Sequence, residues 1–214
     1  CEIMVKISTS ILSRNDIDTI IKLNNTDTDY LHIDVMDGKF VPNEAFPIEE
    51  VQRLNAISKK ELDVHLMVED ISKYIEKLSH LKTSYITFHY EVLKDYNVIG
   101  EVKNKNIKCG ISVKPATKIA EIFPLLPLID LVLIMSVEPG YSGQQFLDSA
   151  LDKIELLKKE INEKKLDVLI SVDGGINAET AKKCIEKGAD MLVASTFITK
   201  DDDFQANISK LRNS

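Results

Sequence analysis

The sequence predicts a closed barrel of eight parallel strands, each followed by a helix: an α/β fold of the (β/α)8 or TIM-barrel class. Three observations predict it. Strand-like and helix-like segments alternate along the chain, eight of each, and strict alternation implies a parallel sheet with crossover helices. Eight such units in 214 residues lie near the lower size limit of a closed barrel. The chemically unusual residues His32, Asp34, His65, Met135, Asp173 and Ser195 fall at or near the C-terminal ends of different strands. In a barrel those ends converge on one mouth. An open doubly wound sheet, the competing arrangement, would separate the second strand from the eighth. No linker, low-complexity segment or charge tract divides the chain, so residues 1–214 are expected to form one barrel domain.

Taken in order, residues 3–8 (IMVKIS) read as a short first strand. A helix follows over 16–23, with Asn15 or Asp16 as its N-cap. Residues 30–36 are the second strand, and Asp37 to Asn43 have the Gly/Pro/Asn composition of a loop. Helical spacing over 48–57 gives way to a strand at 62–67. Helix 71–80, strand 84–88, helix 95–104, strand 107–113 and a short helix from Thr117 continue the alternation. Residues 129–135 (IDLVLIM) are nearly all apolar, as a strand buried on both faces should be. Pro139 to Gln144 form a glycine-containing loop. Helix 147–163 carries Leu147, Leu151, Ile154, Leu157 and Ile161 on one side. Strand 167–172, helix 177–187 stopped by Gly188, strand 190–195 and helix 202–212 close the chain.

Composition narrows the functional classes. Hydrophobic content of 44% and charged content of 29% are those of an ordinary globular domain. No apolar run is long enough to span a membrane, and the N-terminal residues lack the apolar core of a signal peptide. Net charge is −7 with no Lys/Arg block, which argues against nucleic acid as the ligand. A small phosphate ester is compatible, since backbone N–H groups hold phosphate without a basic patch. The three cysteines are odd in number, dispersed and without a CxxC pair, so a reduced cytoplasmic setting is expected.

The stretch Tyr30 to Asp37 carries the chemistry. Strand alternation puts His32, Asp34 and Met36 on one face and Leu31, Ile33 and Val35 on the other. His65 and Met67 share a face of the next strand, and Leu169 to Asp173 ends on a carboxylate followed by Gly174 and Gly175. A single buried histidine is usually a satisfied core residue. Two histidines and two aspartates at three strand ends instead suggest one site for a divalent cation: Zn²⁺, Fe²⁺, Mn²⁺ or Co²⁺. His89 ends the fourth strand and is expected to be able to line the same mouth; His80 is expected at the surface.

Asp34 and Asp173, on opposite sides of a barrel, would flank a small substrate, the geometry for inverting a carbon next to a carbonyl through an enediolate that a bound cation stabilises. Read alone, Asp173-Gly174-Gly175 is an ordinary capped turn. Met36, Met67 and Met135 are either core filler or an apolar lid over that enediolate. Gly140-Tyr141-Ser142-Gly143, Gly174-Gly175 and Ser195-Thr196, turns after the sixth, seventh and eighth strands, are candidate phosphate contacts.

Ser-Thr-Ser-Ile-Leu at 8–12, HIDVMDGKFVPN at 32–43, DVHLMV at 63–68, MSVEPGYSGQQF at 135–146 and VDGGI at 172–176 resemble the ribulose-phosphate 3-epimerase family, in order and spacing over the whole chain. The resemblance implies a barrel of the ribulose-phosphate-binding type. It implies interconversion of D-ribulose 5-phosphate and D-xylulose 5-phosphate in the pentose phosphate pathway, one divalent cation per subunit and a homo-oligomer. His32, Asp34, His65 and Asp173 match the metal ligands, Asp34 the proton acceptor and Asp173 the proton donor. Ser10 and His65 match substrate contacts, Gly140 to Gly143 the loop over the phosphate, and Gly174 and Gly175 phosphate-side positions.

Ser195-Thr196 departs from the family's usual Gly-Ser pair. A Cβ at position 195 could crowd a phosphate, or its hydroxyl could add a donor. A hexulose-phosphate 3-epimerase sharing the metal site stays open, with loop 38–47 and Ser195 as the places where sugar length would be read. Phosphate-barrel decarboxylases carry a D-x-K-x-x-D motif that this chain lacks. A non-catalytic phosphosugar-binding barrel would not need two opposed acids.

Overall fold

The computed structural model describes residues 4–214. Its eight long strands are parallel: β1 (Lys6–Ser10), β2 (Tyr30–Asp37), β4 (Glu61–Met67), β5 (Thr83–His89), β6 (Lys108–Val113), β7 (Leu131–Met135), β8 (Leu169–Asp173) and β9 (Met191–Ala194). They follow one another around the sheet, and β1 pairs with both β9 and β2, which closes the barrel. Between them run α1 (Ile17–Asn24), α2 (Ile48–Ile57), α3 (Ser72–Ser79), α4 (Asn97–Lys103), α5 (Ser149–Glu163), α6 (Ala178–Lys187), α7 (Thr196–Thr199) and α8 (Phe204–Arg212).

The alternation is less strict than the sequence predicts. A two-residue strand, β3 (Glu44–Ala45), turns back antiparallel along the end of β2. The short α7 follows β9 directly and has no periodic signal of its own. The segment after Thr117 is a 3-10 helix over Ile119–Leu128 containing Pro124 and Pro127. Proline removes a backbone donor and disfavours α geometry at the preceding residue, which keeps this segment out of an α-helix. The expected first strand at 3–8 begins outside the described residues; the observed strand runs on to Ser10 and so carries that side chain to the mouth. Leu147, expected on the buried side of α5, precedes the helix and is 42% exposed, while Ala150 and Ile154 face the core.

Two cores result from strand alternation. Leu31, Ile33 and Val35 of β2 point outward and join the large cluster between barrel and helices. Tyr85, Leu131, Leu133, Met191 and Val193 point inward and fill the lower barrel. The β2–β4 register sets His32 beside Asp63, Asp34 beside His65 and Met36 beside Met67. Inward polar residues are thereby stacked above an apolar plug. Gly188 stops α6 in the left-handed region at φ 109°, and Asp16 caps α1 by accepting the Thr19 N–H. Among the described residues no helix is long and apolar enough to cross a membrane.

Candidate active site

At the C-terminal end of the barrel, His32, Asp34, His65 and Asp173 each offer a ligand atom, and these atoms lie within 4.8 Å of one another. Asp34 Oδ1 is 3.2 Å from His32 Nε2 and 3.2 Å from His65 Nδ1. Asp173 Oδ2 is 3.8 Å from His32 Nε2. Going round the barrel, β2 and β8 are separated by β1 and β9 one way and by the other four strands the other way. The two acids therefore approach the cluster from nearly opposed walls. Asp34 is 4% exposed and His65 fully buried. Buried carboxylates in contact with imidazole nitrogens need proton sharing or a cation, and mixed nitrogen and oxygen donors in this number suit a first-row divalent metal.

The environments push the two acids apart. Burial by itself would raise Asp34, but the charge of His32 and the hydrogen bond from His32 hold it well below the usual carboxylate range. Burial raises Asp173, the charge of Asp34 adds to it, and together they push it up to about 7. His32 is opposed by burial, yet Asp34 and Asp63 hold it well above the ordinary imidazole value. One acid ionised and one protonated near neutrality is the pairing that acid–base chemistry uses.

Asp63 is a member of this cluster that sequence reasoning missed. It is 2% exposed, its Oδ2 is 2.8 Å from His32 Nδ1, and it accepts the Ser8 hydroxyl at 2.7 Å. The signal was present: Asp63 precedes His65 by two positions and so shares its inward face. His89 does not line the mouth. It lies fully buried behind His65, at 2.9 Å between the two Nε2 atoms, with its ring 4.6 Å from that of Phe40. Burial pushes His89 down to about 4, whereas hydrogen bonds, the one with His89 foremost, outweigh burial at Glu91 and bring it to about 2. His80 is at the surface beside Glu76.

A cavity of about 610 Å³ opens above the cluster. Ser10, Asp34, Met36, Met67, Met135 and Asp173 line its floor, and the turns at Gly140–Gly143, Gly174–Gly175 and Ser195–Thr196 line its rim. His32 and His65 lie beneath that floor. Ser10 donates to Asp34 Oδ2 at 3.0 Å. Met36, Met67 and Met135 are each 4% exposed or less. Gly175 has φ 63°, and a Cβ there would sit 2.5 Å from the Phe146 backbone nitrogen, so only glycine allows the two turns to meet. Tyr141 is 53% exposed at the rim. Lys183 and Lys200, which the motifs did not reveal, also reach the cavity.

Ser195 has φ −117°, outside the left-handed region that favours glycine. Its hydroxyl lies 2.6 Å from that of Ser13. Loop 38–47 does not line the cavity; it touches the rim through Val41, which packs against Gly140, and through Asn43, which donates to the Gly140 carbonyl at 2.9 Å.

Residues 6–199 match the model of the ribulose-phosphate 3 epimerase family. A ribulose-phosphate 3-epimerase of Methanocaldococcus jannaschii is 38% identical over 213 residues, covering 98% of this chain and 90% of that protein. One from Bacillus subtilis is 37% identical over 99% of this chain and 100% of its own length. The cytoplasmic isoform of Oryza sativa is 37% identical over 98% of this chain and 93% of its own. In fold, the chain is similar to the crystal structure of KGPDC from Streptococcus mutans, at a TM-score of 0.70 and 12% identity, covering 98% of this chain and 96% of that one.

Proposed function

The chain belongs to the ribulose-phosphate 3-epimerase family, and from this premise we propose that it interconverts D-ribulose 5-phosphate and D-xylulose 5-phosphate by proton transfer at C3 between Asp34 and Asp173. The observation that carries this reading is the pair of carboxylates that line the floor of one cavity and approach one cluster of metal-ligating side chains from nearly opposed walls. Inverting a carbon requires the proton to leave one face and return on the other, and a single acid on one wall cannot do both. Asp34 takes the C3 proton and Asp173 delivers one to the opposite face. Ser10, through its hydrogen bond to Asp34 Oδ2, orients the carboxylate that accepts the proton.

His32, Asp34, His65 and Asp173 would hold one divalent cation, Zn²⁺, Fe²⁺, Mn²⁺ or Co²⁺. Such an ion supplies Lewis-acid stabilisation of the negative charge that develops on substrate oxygen when the proton leaves. Met36, Met67 and Met135 cover the reacting carbon with polarizable apolar surface and keep water from it. The backbone N–H groups of the turns at Gly140–Gly143, Gly174–Gly175 and Ser195–Thr196 bind the phosphate, with Lys183 and Lys200 adding positive charge at the rim. Ser142 and Tyr141 close the loop over it.

The enzyme works as a cytoplasmic homo-oligomer in this reading. Burial pushes the thiols of Cys109 and Cys184 up to about 12, which leaves them inert. An epimerase assay with pentulose and hexulose phosphates on metal-quantified protein tests the proposal. Turnover of the hexulose phosphate alone would reassign the substrate, and no turnover of either would overturn the activity.

A further inference from the structure

The two histidines of the cluster are backed differently. His32 has a carboxylate, Asp63, directly behind its Nδ1. Behind His65 stands another imidazole, His89, and behind that a carboxylate, Glu91. Distances along this chain are 2.9 Å from His65 Nε2 to His89 Nε2 and 3.0 Å from His89 Nδ1 to Glu91 Oε2. All three side chains are held. His65 and His89 are fully buried, and the other Glu91 oxygen accepts the Lys114 N–H at 2.7 Å and the Thr117 hydroxyl. Lys153 of α5 in turn donates to the carbonyls of Lys114, Pro115 and Thr117, fixing the turn that grips Glu91.

Counting donors settles the direction. A carboxylate only accepts, so the hydrogen between His89 and Glu91 is on His89 Nδ1. A neutral imidazole has one N–H, so His89 Nε2 is an acceptor and the hydrogen between the rings is on His65 Nε2. That leaves a bare lone pair on His65 Nδ1, 3.2 Å from Asp34 Oδ1. The reverse order would set a lone pair of His89 against the Glu91 carboxylate at 3.0 Å, two acceptors in contact. A lone pair facing a carboxylate oxygen is unfavourable until a positive charge lies beside both.

We propose that His89 and Glu91 are positioning residues: they fix His65 as the Nε2–H tautomer and so present its Nδ1 to the cation. The inference rests on the metal site proposed above. It assigns a task to a buried histidine and the partly exposed glutamate behind it, which touch neither substrate nor metal. Outer partners of metal-ligating histidines set ring orientation and ligand basicity, and their loss costs ~10–100-fold in metal affinity.

The test uses the intact chain labelled with ¹⁵N. Two-bond ¹H–¹⁵N correlation spectra, on metal-free and zinc-loaded protein, report which nitrogen of His65 carries hydrogen. Zinc affinity is measured by chelator competition for wild type, His89→Phe and His89→Gln. Expected are an Nε2–H tautomer in both states, a ~10–100-fold affinity loss for His89→Phe, and recovery of most of it in His89→Gln, whose amide oxygen reaches the His89 Nε2 position. An Nδ1–H tautomer in wild type, or undiminished zinc affinity in folded His89→Phe, would overturn the inference. Should His89→Phe fail to fold, the wild-type tautomer still decides. A wild type that bound no zinc would instead sink the metal site, while the metal-free spectrum would still judge the relay.

Discussion

In the proposed mechanism Asp34 and Asp173 carry the chemistry, and each makes a separate prediction. Asp34→Asn and Asp173→Asn should each lower epimerisation by at least ~10²–10⁴-fold, the range for a general acid–base group. In deuterated water the native enzyme should place deuterium at C3 of the product. Asp173→Asn should still exchange the C3 proton of one epimer through Asp34 without inverting it. Near-native epimerisation by metal-loaded Asp173→Asn would disprove the two-acid mechanism. Asp173 also predicts a stability profile for chelator-treated protein. Its folded-state affinity for a proton is raised, from 3.8 to about 7, so its contribution is complete below 3.8 and lost as pH rises towards 7. Asp34 and Glu91 have lowered values, and their contribution is complete above 4.5. His32, raised above 6.5, loses its contribution only at higher pH. His89, lowered from 6.5 to about 4, acts in the opposite sense: stability is gained as pH rises from 4 to 6.5, which offsets Asp173 over that window. Urea midpoints should therefore stay roughly level between about pH 4.5 and 6.5 in the native protein and rise over that range in Asp173→Asn. An Asp173→Asn profile as level as the native one would contradict the assignment.

At the scale of elements, the rim is made of turns braced against one another. The turn after β8 meets the loop after β7 where a Cβ on Gly175 would collide with Phe146 N and Cα, at 2.5 and 2.8 Å. Gly175→Val should raise KM strongly, by pushing the 144–146 segment out of place as well as by blocking close approach to phosphate. An unchanged KM would mean that phosphate binds elsewhere. Inside the barrel, Gly110 is closely packed: a Cβ there would sit 2.3 Å from Thr87 Oγ1 and 3.0 Å from Leu131 Cδ2. Threonine is β-branched and cannot easily turn away. Gly110→Ala should destabilise the fold by ~1–3 kcal/mol, the usual cost of overpacking. Equal urea midpoints for variant and native protein would show that the neighbouring strands give way freely.

Across the whole molecule, the candidate ligands come from β2, β4 and β8, so a bound cation would tie three strands of one closed sheet. Zinc present at 100 times its Kd should then add about 2.7 kcal/mol to stability by mass action. His65→Ala should show much reduced zinc by elemental analysis and little of this gain. Full zinc occupancy in folded His65→Ala would remove that residue from the site.

The fold and the four residues of the candidate cation site were legible in the sequence because both rest on short-range rules. Alternation of segment types implies a parallel sheet, and the two-residue period of a strand put His32 with Asp34 and His65 with Met67. Helix α2 was bounded by its pattern alone, and the glycine stop at Gly188 by backbone sterics. Contacts between strands were not legible, because they depend on register. The pairing of His32 with Asp63, the stacking of His89 behind His65, and the meeting of Ser13 with Ser195 each join residues at least 24 positions apart. Sequence spacing named the residues facing the barrel axis; only closure of the sheet decided which of them touch. The proton affinities of Asp34 and Asp173 follow from that closure, since identical side chains diverge only through what is packed against them.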